Sequence, residues 1–464
     1  MITFLNRYSS LVLVFGLCLA GNAFATNGYF THGTGTKNKS MAGSGIALPE
    51  DAIDVANNPA VVTEVGDQLT FGAALFSPVR DYSTTPSQAN GQCHPQFGCA
   101  FTIGPNNIGS GSEYFVIPHI AKSWQLENNS AWALAFYGRG GMNTEWDGGS
   151  ASFDPDGLAG PAPTMTFPGT YGFGDTYMNL SQAFLDITWG KKLDNGVSLG
   201  IAAVLAAQMF EVEGVAAFGG YTRSFAASGG TQMPTALSNN GTDWSYGAGL
   251  KFGLHAPLSD RVSFGVMYQT ETFMTEFDDY ADLFAEQGDF DIPADFKIGL
   301  TFKANDRWAW NFDIQHTWFS DVDAVGNPIQ NLFACPTAGQ GGTALENCLG
   351  GENGGGFGWD DMTTFKLGMR YQAGEDWTWR AGYSYGEQPI PSDQMTFNIL
   401  APAVVESHIT AGFTLERTKG RQFNMAFMFA PSNEVSGPNN FDSSQTVNLK
   451  MYEWEIEASY SLRF

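Results

Sequence analysis

The sequence has few charged residues, and few of those are basic. Charged side chains make up 15% of the 464 residues, and 22 lysines and arginines stand against 47 aspartates and glutamates. Nucleic-acid binding needs a basic face that neutralises phosphates, so this composition argues against a nucleic-acid partner. Beyond the N-terminus the chain also lacks any run of about 18 uninterrupted apolar residues, which argues against a helical membrane protein.

Motifs for catalysis and metal binding are missing as well. The six histidines are scattered, and neither a serine elbow nor H-E-x-x-H accompanies them. GTGT and GSG are weak matches to phosphate loops, and DPDG and SDVD are incomplete calcium loops. We therefore expect no enzyme activity, no metal site and no cofactor. A hydrolase whose serine and histidine meet across strands is an alternative.

The N-terminus predicts an export signal, residues 1–25. Arg7 precedes the short apolar run LVLVFGLCLA, and the following AFA has the small residues of a cleavage site. The alternative is an uncleaved anchor, but this apolar run is too short to span a bilayer comfortably.

Four cysteines remain after this signal: Cys93, Cys99, Cys335 and Cys348. An even number in an exported chain predicts two disulfides. Of the three possible connectivities we favour the local pairs. A metal site is the alternative interpretation, but C-x5-C and C-x12-C do not match the tight spacings of zinc ligands.

Most of the later chain alternates between apolar and polar residues, which predicts strands with two different faces. In the last segment, MYEWEIEASYSLRF, Tyr452 and Trp454 share an apolar face, whereas Glu453, Glu455 and Glu457 share the opposite face. Fourteen such runs are predicted, at 67–79, 114–126, 132–146, 177–191, 197–212, 243–257, 262–278, 294–304, 308–318, 363–373, 378–388, 406–417, 421–430 and 452–464.

The connections between these runs alternate strictly between long and short. The short ones carry turn sequences such as LDNG and LSDR, and the last long one is 431–451. Tryptophans gather near both ends of the runs, like the two aromatic girdles of a membrane protein. An open sheet edge in lipid would leave backbone groups unpaired. We therefore predict an all-β fold, a closed 14-stranded antiparallel transmembrane β-barrel over residues 63–464.

Two segments depart from this pattern. Residues 26–62 are rich in small residues and, from Pro49 onward, suit short helices rather than a strand. In the third run, AFYGRGGMNTEW, the alternation is interrupted by Gly138, Gly140 and Gly141. Clustered glycines in a strand predict a bulge, a kink or the close approach of another segment, and such a break would open a barrel wall sideways. The alternative is a flexible strand end.

Basic residues occupy the polar, inward faces of three predicted strands. They are Lys297, Lys303, Lys366, Arg370 and Arg380. These cations are candidates to hold a carboxylate ligand. The alternative is that they pair with inward acids, because unpaired charges in a narrow lumen are costly. The acids are Glu453, Glu455, Glu457 and Asp313.

Several of these stretches resemble one family. AGSGIALPEDAIDVANNPAVV, YGRGGMNTEW, YSYGEQPIPSDQMTFNILAP with the following HITAGFTLE, and the terminal Phe464 are similar to the long-chain fatty acid transporter family of outer-membrane proteins, of FadL and TodX type. The resemblance implies that 26–62 is a hatch plugging the barrel, with Asn58, Pro59 and Ala60 in the hatch motif. It also implies an inward kink of the third strand, formed by Tyr137, Gly138, Gly140 and Gly141.

From this resemblance we expect a passive channel in the Gram-negative outer membrane. External loops would capture a hydrophobic ligand, a fatty acid or an aromatic hydrocarbon, which would reach a lumenal pocket and leave sideways through the kink. The cysteine-bearing loops 80–113 and 319–362 do not align with the family pattern. Expected partners are this ligand, outer-membrane lipid and lipopolysaccharide, and the barrel-assembly machinery. The alternative is an adhesin or surface antigen with long acidic loops, although an adhesin needs no plug.

Overall fold

The computed structural model describes residues 27–94, 98–155 and 164–464, so the predicted signal peptide lies outside the described residues. Fourteen strands form the barrel wall, numbered here in chain order: β1 Gln68–Thr84, β2 Phe115–Gln125, β3 Ser130–Trp146, β4 Thr176–Lys192, β5 Ser198–Glu213, β6 Asp243–Pro257, β7 Val262–Gln269, β8 Asp295–Lys303, β9 Trp308–Thr317, β10 Met362–Gln372, β11 Trp377–Gly386, β12 Ser407–Thr418, β13 Arg421–Asn439 and β14 Asp442–Arg463.

Each strand pairs antiparallel with its neighbours in the chain, and the last strand closes the ring on the first. The β1–β14 register runs without interruption from Gln68 opposite Arg463 to Thr84 opposite Val447. This closure satisfies the backbone groups that an open edge would expose to lipid. The predicted 14-stranded antiparallel barrel is confirmed.

The alternating residues of each strand separate into a lipid face and a lumen face. Phe312 and Leu367 point outward and are 47% and 48% exposed, whereas their neighbours Asp313 and Lys366 point inward and are 3% and 2% exposed. A continuous band of exposed apolar side chains around a closed sheet is the outer surface of a membrane barrel.

The ends of four strands differ clearly from the sequence prediction. β1 ends at Thr84 instead of 79. β7 ends at Gln269 instead of 278, and the predicted long loop 431–451 is a hairpin in which β13 and β14 continue to Asn439 and Asp442.

In the β14 half of this hairpin the apolar residues Val447, Leu449 and Met451 point inward and the alternating polar residues point outward. The two faces are therefore exchanged relative to the lipid-facing part of the strand, which hid the continuation in the sequence. Backbone pairing with the neighbouring strand still extends it.

The remaining elements are short. Two-to-four-residue strands lie in the loops at Cys93–His94, Gly98–Cys99, Thr102–Ile103, Asn107–Gly109, Ser150–Phe153, Met165–Pro168 and Phe273–Met274. Loop helices span Ala216–Tyr221, Arg223–Ala227, Asp278–Tyr280, Ala285–Gly288, Phe319–Asp321, Asp323–Gly326, Ile329–Ala334, Leu345–Asn347 and Met395–Asn398. No helix within the described ranges is long and apolar enough to cross a membrane.

Both cysteine pairs are disulfides between local partners. Cys93 is joined to Cys99 across a two-stranded hairpin, and Cys335 is joined to Cys348 with their Cα atoms 4.8 Å apart. The described part of the chain holds no cluster of histidine, cysteine and acidic side chains suited to a metal ion.

Residues 27–66, called here the N-terminal segment, lie inside the barrel, and none of them is exposed. The segment contains three short helices, Thr36–Lys39, Ala52–Ala56 and Pro59–Thr63. The second helix is capped by Asp51, and the third begins after Asn58, whose side chain accepts a hydrogen bond from the Ala60 N–H. These caps satisfy backbone donors that burial would otherwise leave unpaired.

Glycines line the wall wherever this segment touches it. We call them the glycine belt: Gly190, Gly200, Gly253, Gly265, Gly299, Gly368, Gly382 and Gly412. A Cβ atom at Gly382 would lie 2.2 Å from the carbonyl carbon of Met41, and one at Gly200 would lie 2.3 Å from that of Pro59. Only glycine allows so close an approach of two backbones. The wall is therefore shaped to hold this segment.

Candidate functional site

The glutamates of β14 face the N-terminal segment. The Nζ atom of Lys39 lies 2.8 Å from carboxylate oxygens of both Glu455 and Glu457, and Thr36 donates a hydrogen bond of 2.7 Å to Glu457. The sequence interpretation looked for their partners among the wall cations. The structure provides the partner from the N-terminal segment instead.

Two of the predicted ligand-binding cations hold another residue of this segment. Arg380 donates two hydrogen bonds of 2.9 Å to the carboxylate of Glu50, and Arg370 lies 3.4 Å from the same group. Burial disfavours the charged form of Glu50, but the guanidinium groups of Arg380 and Arg370 outweigh it and lower the pKa of Glu50 to about 2. Glu50 is therefore a charged anchor at neutral pH.

The other two predicted cations also have protein partners. Lys366 donates a hydrogen bond of 2.7 Å to the backbone carbonyl of His32, and Lys297 lies 3.8 Å from Asp295. Asp313, expected to pair with a cation, instead accepts hydrogen bonds from the backbone N–H groups of residues 45 and 46. A ligand-binding role for Lys297, Lys366, Arg370 and Arg380 stays a prediction.

The NPA sequence fastens the N-terminal segment to the wall of the barrel. The side-chain amide of Asn58 donates hydrogen bonds of 3.1 Å to the carbonyls of Ile46, within the segment, and Leu254, on β6. Pro59 occupies the first turn of the following helix, where its missing N–H costs nothing. Ala60 is fully buried.

β3 leaves the plane of the wall at its glycines. Its pairing with β2 ends at Tyr137 opposite His119, and one extra residue, Arg139, interrupts the register with β4 between Gly138 and Gly140. The six residues from 139 to 144 are all buried, whereas alternation would leave every second one outside. Such a bulge bends a strand.

The displaced part of β3 pairs with the N-terminal segment instead of β2. Thr31 donates a backbone hydrogen bond of 2.8 Å to Arg139, and Gly141 donates one of 3.0 Å to Tyr29. Phe30 forms a β-bridge with Gly140. Among the described residues, positions 115–118 of β2 therefore have no ladder partner on β3.

Buried ion pairs surround this kink. Lys251 lies 2.6 Å from Asp186 and 3.0 Å from the hydroxyl of Tyr137, which donates to the same carboxylate. Arg139 is paired with Asp295, and its guanidinium carbon lies 4.2 Å from the ring centre of Phe30. These contacts fix the kink from inside the lumen.

An apolar cavity lies above the N-terminal segment, among the outer loops. Its volume is about 30 Å³, and all fourteen lining residues are apolar or glycine. The aromatic lining residues are Phe210, Phe218, Phe284, Phe357 and Phe397. They come from β5 and from four different loops, so the folded loops create the cavity together.

Aromatic rings connect this cavity to the kink. The ring of Phe284 lies 5.0 Å from Phe290, which lies 6.2 Å from Tyr29, which lies 4.6 Å from Phe30. We call these four residues the aromatic path. Phe30 ends the path at Gly140. Sequence reasoning missed the path, although its signal is the aromatic pair YF in a segment otherwise rich in small residues.

Comparison with known proteins agrees with the family resemblance seen in the sequence. The family model described as "Outer membrane protein transport protein (OMPP1/FadL/TodX)" matches residues 16–460. The "Long-chain fatty acid transport protein" of Salmonella typhi is 24% identical over 456 residues, covering 90% of each chain. The protein with the same name from Escherichia coli O6:H1 is 23% identical over 433 residues, covering 84% of this chain and 82% of the relative.

Solved structures share the fold. The Pseudomonas putida toluene transporter TodX superposes with a TM-score of 0.59 at 17% identity, covering 94% of this chain and 99% of the other. A Pseudomonas aeruginosa FadL homologue superposes with a TM-score of 0.61 at 15% identity, covering 94% of this chain and all of the other.

Proposed function

The chain belongs to the outer membrane protein transport family (OMPP1/FadL/TodX), and from this premise we propose that it is a passive channel for hydrophobic molecules. Its place is the outer membrane, where the exposed apolar band contacts lipid and lipopolysaccharide. Relatives are named for long-chain fatty acids and for toluene. Long-chain fatty acids and toluene are both hydrophobic, so a water-filled pore would not favour their passage.

The observation that carries the proposal is the break between β2 and β3. A barrel wall in lipid normally pairs every backbone group with a neighbouring strand. Here β3 turns inward after Tyr137 and takes Tyr29, Phe30 and Thr31 as its partners. In our proposal this site is the lateral opening through which an apolar molecule passes from the lumen into the membrane.

The route begins in the apolar cavity. A ligand that leaves water there gains about 25 cal/mol for each Å² of apolar surface it buries. From the cavity it follows the aromatic path to Gly140, where the ion pairs of Arg139 and Lys251 adjoin the path. No step of this route requires a cofactor or a source of chemical energy.

The N-terminal segment acts as the hatch in this proposal. It fills the lumen below the cavity, and it is anchored to the wall by Glu50, Lys39 and Asn58. A straight passage to the periplasm is therefore blocked, and the sideways exit becomes the open direction. Phe464, exposed at the end of β14, is the proposed contact for the barrel-assembly machinery.

Filling the cavity tests the proposal. Ala324 lines the cavity and is buried, so Ala324→Phe should reduce the uptake of radiolabelled methyl decanoate at least fivefold in cells that depend on this channel. Ala227→Phe is the matched control, because Ala227 is exposed on a loop helix away from the cavity lining. Unchanged uptake by a correctly assembled Ala324→Phe barrel would remove the cavity from the route.

A further inference from the structure

We infer that the ligand of this channel is uncharged, hydrocarbon-like or an ester, and that a carboxylate such as a fatty acid anion is a poor substrate. The inference rests on the proposed function and narrows it to one chemical class. Three independent observations support it: the charge of the outer loops, the lining of the cavity and the occupation of the buried cations.

The outer loops are acidic in sum, although the connections 214–242 and 440–441 contain no acidic residue. The seven connections at this end, 85–114, 147–175, 214–242, 270–294, 318–361, 387–406 and 440–441, contain a single basic residue, Arg223. The fourth connection alone carries eight acids: Glu271, Glu276, Asp278, Asp279, Asp282, Glu286, Asp289 and Asp291. These loops form the mouth of the barrel. A mouth whose charges share one sign repels ligands of the same charge over about 8–10 Å at physiological ionic strength.

The acidic residues of this mouth also raise one another's pKa. Burial, followed by the charges of its neighbours, raises the pKa of Asp289 to about 7, and the same causes raise the pKa of Asp291 to about 6. Burial is the larger cause of both shifts, and the crowding of neighbouring carboxylates adds to it. An anionic ligand would add to this crowding.

The lining of the apolar cavity behind this mouth has no side chain that could stabilise a charged ligand. No lysine, arginine or other polar side chain belongs to its fourteen lining residues. A carboxylate placed there would lose its hydration without gaining a hydrogen bond, which costs several kcal/mol. An uncharged alkyl or aryl group has no comparable loss of hydration free energy in this cavity.

The cations inside the barrel are already occupied. Seven lysines and arginines are buried among the described residues: Lys37, Lys39, Arg80, Arg139, Lys251, Lys366 and Arg380. Five form ion pairs with carboxylates. The other two, Arg80 and Lys366, donate hydrogen bonds to the backbone carbonyls of Ser112 and His32.

These last two cations are the strongest candidates for a carboxylate clamp. Lys366 is not open to a ligand, whereas the Nε of Arg80 has no hydrogen-bond partner among the described residues. A Cβ atom at Gly43 would lie 2.8 Å from the Nζ atom of Lys366, so the N-terminal segment covers this amine. Arg80 is attracted by Glu453. Glu453 is fully buried, and neither of its oxygens accepts a hydrogen bond within the described residues. Arg80 therefore already has a carboxyl group of the wall as its neighbour.

The inference is tested with three compounds that have similar hydrocarbon chains but different charges. Initial uptake of methyl decanoate, decanoate and decylammonium is measured at pH 7 in cells expressing the protein, and uptake by vector-only cells is subtracted. We expect the ester to enter at least tenfold faster than decanoate and decylammonium. We also expect Lys366→Gln to change ester and decanoate uptake by the same factor, and added salt to raise decanoate uptake more than ester uptake.

The other outcomes separate the two proposals. If decanoate or decylammonium enters as fast as the ester, the inference of an uncharged ligand is wrong, whereas the proposed channel for hydrophobic molecules is still supported. If Lys366→Gln reduces decanoate uptake alone, this lysine is a carboxylate clamp and the inference is overturned. If none of the three compounds enters faster than in vector-only cells, the proposed function itself fails.

Discussion

At the scale of single residues, the lumen is held by ion pairs between the wall and the N-terminal segment. The sequence predicted that Arg370, Arg380 and Glu455 point inward, because alternation in a strand decides which face a side chain takes. It did not predict that Glu50 and Lys39 are their partners. These pairs join residues more than 300 positions apart, and no local pattern encodes such a contact.

Replacing Glu50 should loosen this anchor and remove its pH dependence. Because the pKa of Glu50 is lowered from 4.5 to about 2, its ion pairs stabilise the native barrel at neutral pH. That stabilisation is lost as the pH falls from 4.5 toward 2. Glu50→Gln leaves Arg380 buried without a carboxylate, so we expect a loss of about 3 kcal/mol at pH 7 and a flatter acid profile, measured by urea unfolding in lipid vesicles.

Glu64→Gln is the matched control for this measurement. Glu64 pairs with Lys192 at a partly exposed site, where an ion pair contributes about 1 kcal/mol or less. Equal losses in the two variants, or an acid profile of Glu50→Gln as steep as that of the wild type, would contradict the assigned role of Glu50.

At the scale of elements, the glycine belt and the β3 kink determine how the wall meets the segment inside it. The clustered glycines of β3 were visible in the sequence as a predicted break, and the structure places a bulge there. The glycines of the belt lie within the predicted strands, but the sequence analysis did not predict their role. A glycine in a strand shows that something approaches closely but not what approaches.

A side chain added to the belt should displace the segment without preventing assembly of the barrel. Gly382→Val forces a Cβ atom into the backbone of Met41, so we expect ion leakage, seen as higher single-channel conductance in planar bilayers. Ala381→Val is the matched control, because Ala381 points out of the barrel from the adjacent position of β11. Equal conductance of the two folded variants would show that the belt does not hold the segment in place.

At the scale of the whole molecule, the closed barrel was predictable and the route through it was not. Strand number and the faces of the strands follow from patterns of two-residue period, which lipid and lumen impose along most of every strand. The cavity depends on four loops meeting β4 and β5 in space. The aromatic path depends on residues 29 and 30 reaching residue 290. Neither arrangement leaves a periodic signal.

The central claim is that a hydrophobic ligand leaves through the wall at the β3 kink. Deleting Arg139 should place Gly138 and Gly140 consecutively opposite Ala183 and Gln182, removing the bulge and letting β3 continue in the wall. Two controls accompany it. Arg139→Met loses the ion pair with Asp295 but keeps the bulge, and deletion of Ser432 removes the separate bulge between β13 and β14.

The decisive measurement is the uptake of radiolabelled methyl decanoate by cells carrying each variant, with barrel assembly checked by heat-modifiable gel mobility. Our account predicts that the Arg139 deletion assembles normally and reduces uptake to the level of vector-only cells. Both controls should retain at least half of the wild-type rate. Wild-type uptake by an assembled barrel that lacks Arg139 would contradict the lateral exit.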